Sequence, residues 1–224
     1  MITVHHLNNS RSQRVLWLLE ELGLPYEIEK YERDAKTMLA PPALVEVHPL
    51  GKSPVITEDG LTVAETGAIV EYLIEHHGRG RLAPAIGTPE RLRWRYWLHF
   101  AEGSAMPPLL LKLIFERIKV SPMPFFAKPI AKGICNRVLA AMVEPNLTRQ
   151  LDFMEAELGK SEWFAGNDFS AADIQMSFPV EAAAQRAGLD ASRPRLMAFL
   201  KRIHVRPAYK KALARGGPYA FAKD

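Results

Sequence analysis

Ile2-Thr3-Val4-His5-His6-Leu7-Asn8-Asn9-Ser10 opens the chain, and the hydrophobic period changes twice between it and Tyr31. Ile2 to Leu7 reads as a strand. After the polar break at Asn8-Asn9-Ser10, the residues Val15, Leu18, Leu19 and Leu22 recur at i, i+3, i+4, i+7, the stripe of an amphipathic helix. Gly23 and Pro25 stop that helix, and Tyr26, Ile28 and Lys30-Tyr31 start a second strand with mixed faces. A helical crossover of this length favours parallel pairing and a right-handed βαβ unit.

Working outward, Lys36 to Val47 contains Pro41-Pro42, so only short helical pieces fit there. Pro54 to Thr57 and Leu61 to Ala64 flank Asp59-Gly60, a strong hairpin signal. Glu65 to His77 then reads as a helix with Ile69, Val70 and Leu73 on one face. This is the element order of a thioredoxin-like domain. Gly78 to Pro89 is rich in Gly and Pro without periodicity and reads as a linker. Beyond it no strand pattern stands out. Helices are expected over Arg91 to Arg117, Ile130 to Leu158, Ala171 to Ala187 and Leu196 to Ile203, with Pro107-Pro108 and Pro145 bending or interrupting the first two. Leu147, Leu151, Met154 and Leu158 mark the inner face of the second. Ser170 and Asp173 form a capping box, flanked by a Phe169/Ile174 hydrophobic staple.

Composition sets the outer bounds. With 224 residues, 48% hydrophobic and 24% charged, the chain is ordinary globular protein, long enough to bury a core without staples. The lone Cys135 excludes an intramolecular disulfide and multi-cysteine zinc sites, which points to a reducing compartment. Residues 1 to 80 carry 7 basic and 12 acidic side chains, and the remainder 22 and 13. The basic residues of the second part alternate with Glu along helices, which favours solvated faces over a phosphate-tracking surface. The seven histidines show no ligand spacing. The expectation is a cytoplasmic protein with no metal, no nucleic-acid partner and no membrane span.

Several motifs occur together: Leu7 to Leu22 (L-N-N-S-R-S-Q-R-V-L-W-L-L-E-E-L), His48 to Ile56 (H-P-L-G-K-S-P-V-I), Ala64-Glu65-Thr66-Gly67, the capping box at Ser170, and Arg206 to Tyr219 (R-P-A-Y-K-K-A-L-A-R-G-G-P-Y). In this order and at about this spacing the chain resembles the glutathione S-transferase family over nearly its whole length, the first and last motifs being particularly like bacterial and fungal branches. The resemblance implies a thioredoxin-like glutathione-binding domain over residues 1–78, a linker over 79–89, and an all-helical domain over 90–224.

It also implies site residues. Pro54 takes the family's cis position, leaving the Ser53 backbone to pair with the cysteinyl backbone of glutathione; an ordinary trans turn proline is the bland alternative. Glu65 and Thr66 meet the γ-glutamyl end at a helix N-terminus, where a carboxylate is welcome; a plain N-cap is the competing reading. Lys52 matches a position that often meets the glycyl carboxylate, although a lone surface lysine is usually just solvated. Ser10, four residues before Arg14, matches the family's serine-type thiol activator. Asn8 and Asn9 are alternatives, and all three are also good turn residues. No tyrosine stands at His6-Leu7-Asn8, and no cysteine in this turn, so the tyrosine mechanism and glutaredoxin-like disulfide exchange are disfavoured. Met106, Pro107 and Leu110, with Ile114 and Phe115 nearby, either wall an apolar electrophile pocket or serve as core.

The expected activity is conjugation of the glutathione thiolate, glutathione being a co-substrate, to a small hydrophobic electrophile by a homodimeric detoxification enzyme. The rival is a non-catalytic binding or regulatory protein of the same fold, because fold alone does not fix function.

Overall fold

β1 (Ile2–Leu7), α1 (Ser12–Leu22) and β2 (Tyr26–Tyr31) form the expected βαβ unit in the computed structural model, which describes residues 1–222. Ile2 lies opposite Tyr26 and Leu7 opposite Tyr31 in parallel register. Gly23, at φ 63°, ends α1 in the left-handed conformation that glycine adopts without strain. α2 (Pro42–Val47) is the only helical piece of its proline-bearing segment. β3 (Val55–Glu58) and β4 (Leu61–Ala64) are joined by Asp59 and Gly60, both at positive φ as a primed hairpin turn requires. β3 runs antiparallel to β1, giving a four-stranded mixed sheet of order β2-β1-β3-β4, and α3 (Thr66–His77) covers it.

No helix or strand lies between His77 and Pro89, and among the described residues every element beyond is a helix. α4 (Pro89–Phe100) runs through a π-turn, Ala101–Ala105, into α5 (Met106–Val120). α6 (Lys128–Val138) likewise passes through Leu139–Val143 into α7 (Glu144–Glu157). The sequence pattern places prolines there without saying how the chain accommodates them. Proline lacks the N–H that the carbonyl four residues back expects, so each helix widens ahead of it: the Met106 amide reaches Ala101 O, and the Glu144 amide Leu139 O. α8 (Ala171–Arg186) and α9 (Pro194–His204) follow. α10 (Pro207–Gly216) is absent from the sequence-based expectation, although Tyr209, Ala212, Leu213 and Gly216 carry a helical stripe.

One hydrophobic core runs through both parts, and α1 is its hinge-pin: it packs on β1, α3, α8 and α10. Contact on so many sides explains why Leu16 and Trp17 are as buried as the predicted Val15-Leu18-Leu19 stripe. The Trp17 ring meets Tyr209 edge-on at 5.0 Å and Phe169 at 5.7 Å, and Arg206 clasps Glu21 with two hydrogen bonds of 2.6 and 2.9 Å. The tightest tie comes from a helix defect. Pro179, inside α8, leaves the Gln175 carbonyl without its helical donor, and the fully buried Arg14 guanidinium donates to that carbonyl and to Glu102.

The capping box of α8 forms as expected: the Asp173 carboxylate accepts from the Ser170 amide at 2.9 Å, the Ser170 hydroxyl at 3.1 Å and the Phe164 amide at 2.9 Å. Burial nevertheless pushes its pKa up to about 6, against those hydrogen bonds. Cys135 is buried in α6.

Candidate active site

The turn between β1 and α1 buries a chain of hydroxyls. Ser10 Oγ lies 2.7 Å from Ser12 Oγ and 3.4 Å from Ser53 Oγ, and it accepts from the Ser12 amide at 3.2 Å. Ser12 Oγ in turn lies 2.8 Å from His6 Nδ1. Burial first, and Lys30 second, push the His6 ring down to about 4, so it is neutral near pH 7. The Gly216 backbone engages the ring by a hydrogen bond that favours the protonated form, so the ring donates there. His6 Nδ1 then accepts from Ser12, and Ser12 accepts from Ser10. Ser10 is only 5% exposed, whereas Asn8 is half-buried and Asn9 exposed.

The Ser53-Pro54 bond is cis. Ser53 Oγ donates to the His5 carbonyl at 2.9 Å and accepts from the Leu7 amide at 3.3 Å, which fixes this loop against β1. Across from it, Glu65 precedes α3 with φ 70°, a conformation that costs a non-glycine residue about 1–3 kcal/mol and is met chiefly at functional sites. Glu65, at the N-cap position of α3, makes no side-chain capping hydrogen bond, so the plain N-cap reading does not describe this terminus. Thr66 is buried and Glu65 exposed.

These loops enclose a cleft of about 300 Å³. Lys52, Ser53, Pro54, Glu65 and Thr66 all line it, as do Arg11, His48, Leu50, Glu102 and Leu110. Ser10 does not; it sits beneath, touching the cleft through Ser53. Arg11 and Glu102 have no local sequence signal, because their partnership spans the two halves of the chain: Arg11 Nε lies 2.8 Å from a Glu102 carboxylate oxygen. Burial would raise the Glu102 carboxyl, but Arg14 and then Arg11 outweigh it and hold it below the ordinary carboxylate value.

A second cleft, of about 580 Å³, adjoins the first through Arg11 and Leu110. Asn8 and Asn9 line it together with Met106, Leu109, Leu110, Leu113, Phe178 and Phe221. Met106, Leu109, Leu110 and Leu113 are one stripe of α5 at i, i+3, i+4, i+7. Pro107 is off that stripe by a rotation of about 100° and is solvent-exposed, so it does not wall the cleft. Ile114 and Phe115 are off it too; Phe115 packs on the core. Among the described residues, no His, Cys, Asp and Glu side chains gather as a metal site, and no helix is long and apolar enough to cross a membrane.

A sheet-bearing domain with a cis-proline loop, an uncapped helix terminus across a cleft and a helical domain behind it defines a glutathione S-transferase fold, and this chain belongs to the glutathione S-transferase family. Family models for the glutathione S-transferase N-terminal domain and C-terminal domain match residues 10–76 and 136–207. The chain is 34% identical to "Glutathione S-transferase 1" of Saccharomyces cerevisiae over 98% of both chains. It is 39% identical to "Glutathione S-transferase 3" of Schizosaccharomyces pombe over 82% of this chain and 74% of that one. Among solved structures, a glutathione S-transferase from Actinobacillus pleuropneumoniae superposes with TM-score 0.80 at 29% identity, covering 100% of this chain and 97% of that one. A sphingomonad glutathione S-transferase complexed with glutathione superposes at 0.71 with 26% identity, covering 96% and 98%.

Proposed function

We propose that this protein is a homodimeric cytoplasmic glutathione transferase: it holds glutathione in the 300 Å³ cleft and aims the thiolate at an electrophile seated in the adjoining 580 Å³ cleft. In this reading Ser53 pairs with the cysteinyl backbone, Thr66 and Glu65 hold the γ-glutamyl end, and Lys52 faces the glycyl carboxylate. The sulfur then lies over the first turn, where Ser10 donates to it and the N-terminus of α1 favours its negative charge. The observation that carries the reading is the convergence of Lys52, Ser53, Pro54, Glu65 and Thr66 on one cleft that opens onto an apolar one.

The chemistry asked of the protein is modest. A free thiol of pKa about 8.5 is only a few per cent ionised near neutral pH, and preferential stabilisation of the anion raises that fraction. A second reading, a non-catalytic glutathione-binding protein, is favoured by one observation: the Ser10 hydroxyl is buried and already paired with Ser12. Calorimetric titration with glutathione followed by an aryl-halide conjugation assay separates the two. Binding with turnover above the uncatalysed rate is expected; binding without turnover would favour the second reading.

A further inference from the structure

The larger cleft is ringed by cations. Arg11, Arg33, Arg117 and Arg186 line it, and no aspartate or glutamate does. Elsewhere several arginines are neutralised by carboxylates: the buried Arg14 pairs with Glu102, and the half-buried Arg206 and Arg215 with Glu21 and Glu20. In the cleft only Arg11 has such a partner; among the described residues Arg33, Arg117 and Arg186 make no ion pair.

Their other contacts do not remove the charge. Arg33 donates to the Met38 carbonyl at 3.2 Å, and the Arg186 guanidinium lies 4.6 Å from the Phe221 ring centroid. Desolvation, and next a neighbouring arginine, depress both guanidinium pKa values: Arg11 acts on Arg33 and Arg117 on Arg186. A guanidinium stays protonated under such a shift, so like charges face one another across the cleft, Arg33 half-buried and Arg117 and Arg186 exposed at its edge. Between them lie the apolar Met106, Leu109, Leu113 and Phe178. An uncharged ligand would fill that volume and leave the repulsion in place, whereas an anionic group would relieve it and take charge-assisted hydrogen bonds.

Resting on the transferase reading above, we propose that the cleft selects electrophiles with an apolar, aromatic body bearing a carboxylate, sulfonate or phosphate, the anion being held by Arg117 and Arg186. Conjugation itself is ordinary substitution. The glutathione sulfur forms a bond to the aryl carbon, the carbon–chlorine bond breaks, chloride leaves with the electron pair, and the thiol proton goes to solvent.

The test uses the intact protein with saturating glutathione and two activated halides, 1-chloro-2,4-dinitrobenzene and 4-chloro-3,5-dinitrobenzoate. The readout is how the ratio of their KM values changes in the double variant Arg117→Gln/Arg186→Gln. The expected change is a loss of about fivefold or more in preference for the benzoate, carried by KM with kcat little altered, as for binding made equally in ground and transition states. An unchanged ratio would overturn the proposal while leaving the transferase reading intact. If neither halide turns over, the transferase reading fails, and binding decides the anion site. The double variant should then weaken 8-anilinonaphthalene-1-sulfonate at least fivefold more than the uncharged N-phenyl-1-naphthylamine. Equal weakening of the two dyes would overturn it.

Discussion

Ser10→Ala removes one oxygen from the hydroxyl chain, and the structure sets how much that matters. A hydroxyl donating to a charged acceptor contributes about 1.5–3 kcal/mol. Ser10 cannot deliver all of that, because its proton already serves Ser12 at 2.7 Å, while Ser12 serves the neutral His6. Turning the proton to the sulfur gives up a neutral bond of about 0.5–1.5 kcal/mol, so the net gain is about 1 kcal/mol. At 1.36 kcal/mol per pKa unit, the bound thiol should titrate roughly 0.7 unit higher in the variant. Glutathione affinity should change by less than about threefold, since its backbone and γ-glutamyl anchors are untouched. The assay is the pH dependence of kcat, which reports the thiol in the complex. Well below both midpoints the variant should be slower by about fivefold, and the two profiles should converge at high pH. Superimposable profiles would refute the argument. Asn8 would then take the role: its Oδ1 accepts from the Arg33 amide at 3.1 Å, its amide NH2 has no partner among the described residues, and the residue lines the cleft.

Thr66→Ala should weaken glutathione by about 1.5–3 kcal/mol in a calorimetric titration, and equal affinity would place the γ-glutamyl end elsewhere. Lys52→Ala should cost at most about 1 kcal/mol, because the side chain is exposed and any ion pair it makes is screened. Arg14→Ala strips the buried partner from Glu102 and the donor from the Gln175 carbonyl, and should lower unfolding free energy in urea by about 3–5 kcal/mol; a loss under about 1 would show that this tie does not hold the two parts together. His6 has a folded-state value of about 4 against 6.5 unexposed to the fold, so between those pH values the unfolded chain takes up a proton that the folded one refuses. Its contribution is therefore present above pH 6.5 and lost on acidification through pH 4, roughly 3 kcal/mol that His6→Gln should abolish. If wild type and His6→Gln lose the same stability between pH 7 and pH 4, as measured by urea unfolding, His6 does not carry this linkage.

What was legible in the sequence is what is local. The βαβ unit and the hairpin were readable because period, Gly23 and Asp59-Gly60 act over a few residues; Lys52 to Thr66 came from the family resemblance, whose motifs lie in one short stretch, whereas Arg11, Glu102 and Leu110 reach the same cleft from elsewhere in the chain. The prolines announced a break in α4–α5 and α6–α7, but the π-turns that absorb it depend on keeping the helix packed on both sides. α10 has a readable stripe, yet ten residues between Pro207 and Gly216 make a weak signal until α1 supplies the partner face. The cations of the second cleft lie on four different segments, at Arg11, Arg33, Arg117 and Arg186, and only the tertiary fold gathers them. Pro107 fails as a wall for the opposite reason: adjacent positions on a helix face different ways.

The central claim is that this cleft binds glutathione and ionises its thiol, and the thiolate absorbance of the wild-type complex, titrated against pH, tests it most directly. The account predicts a thiolate band that appears on binding near neutral pH, with a midpoint at least about one unit below the 8.5 of a free thiol. A midpoint at the free value, or no band below about pH 8 at saturating glutathione, would contradict it.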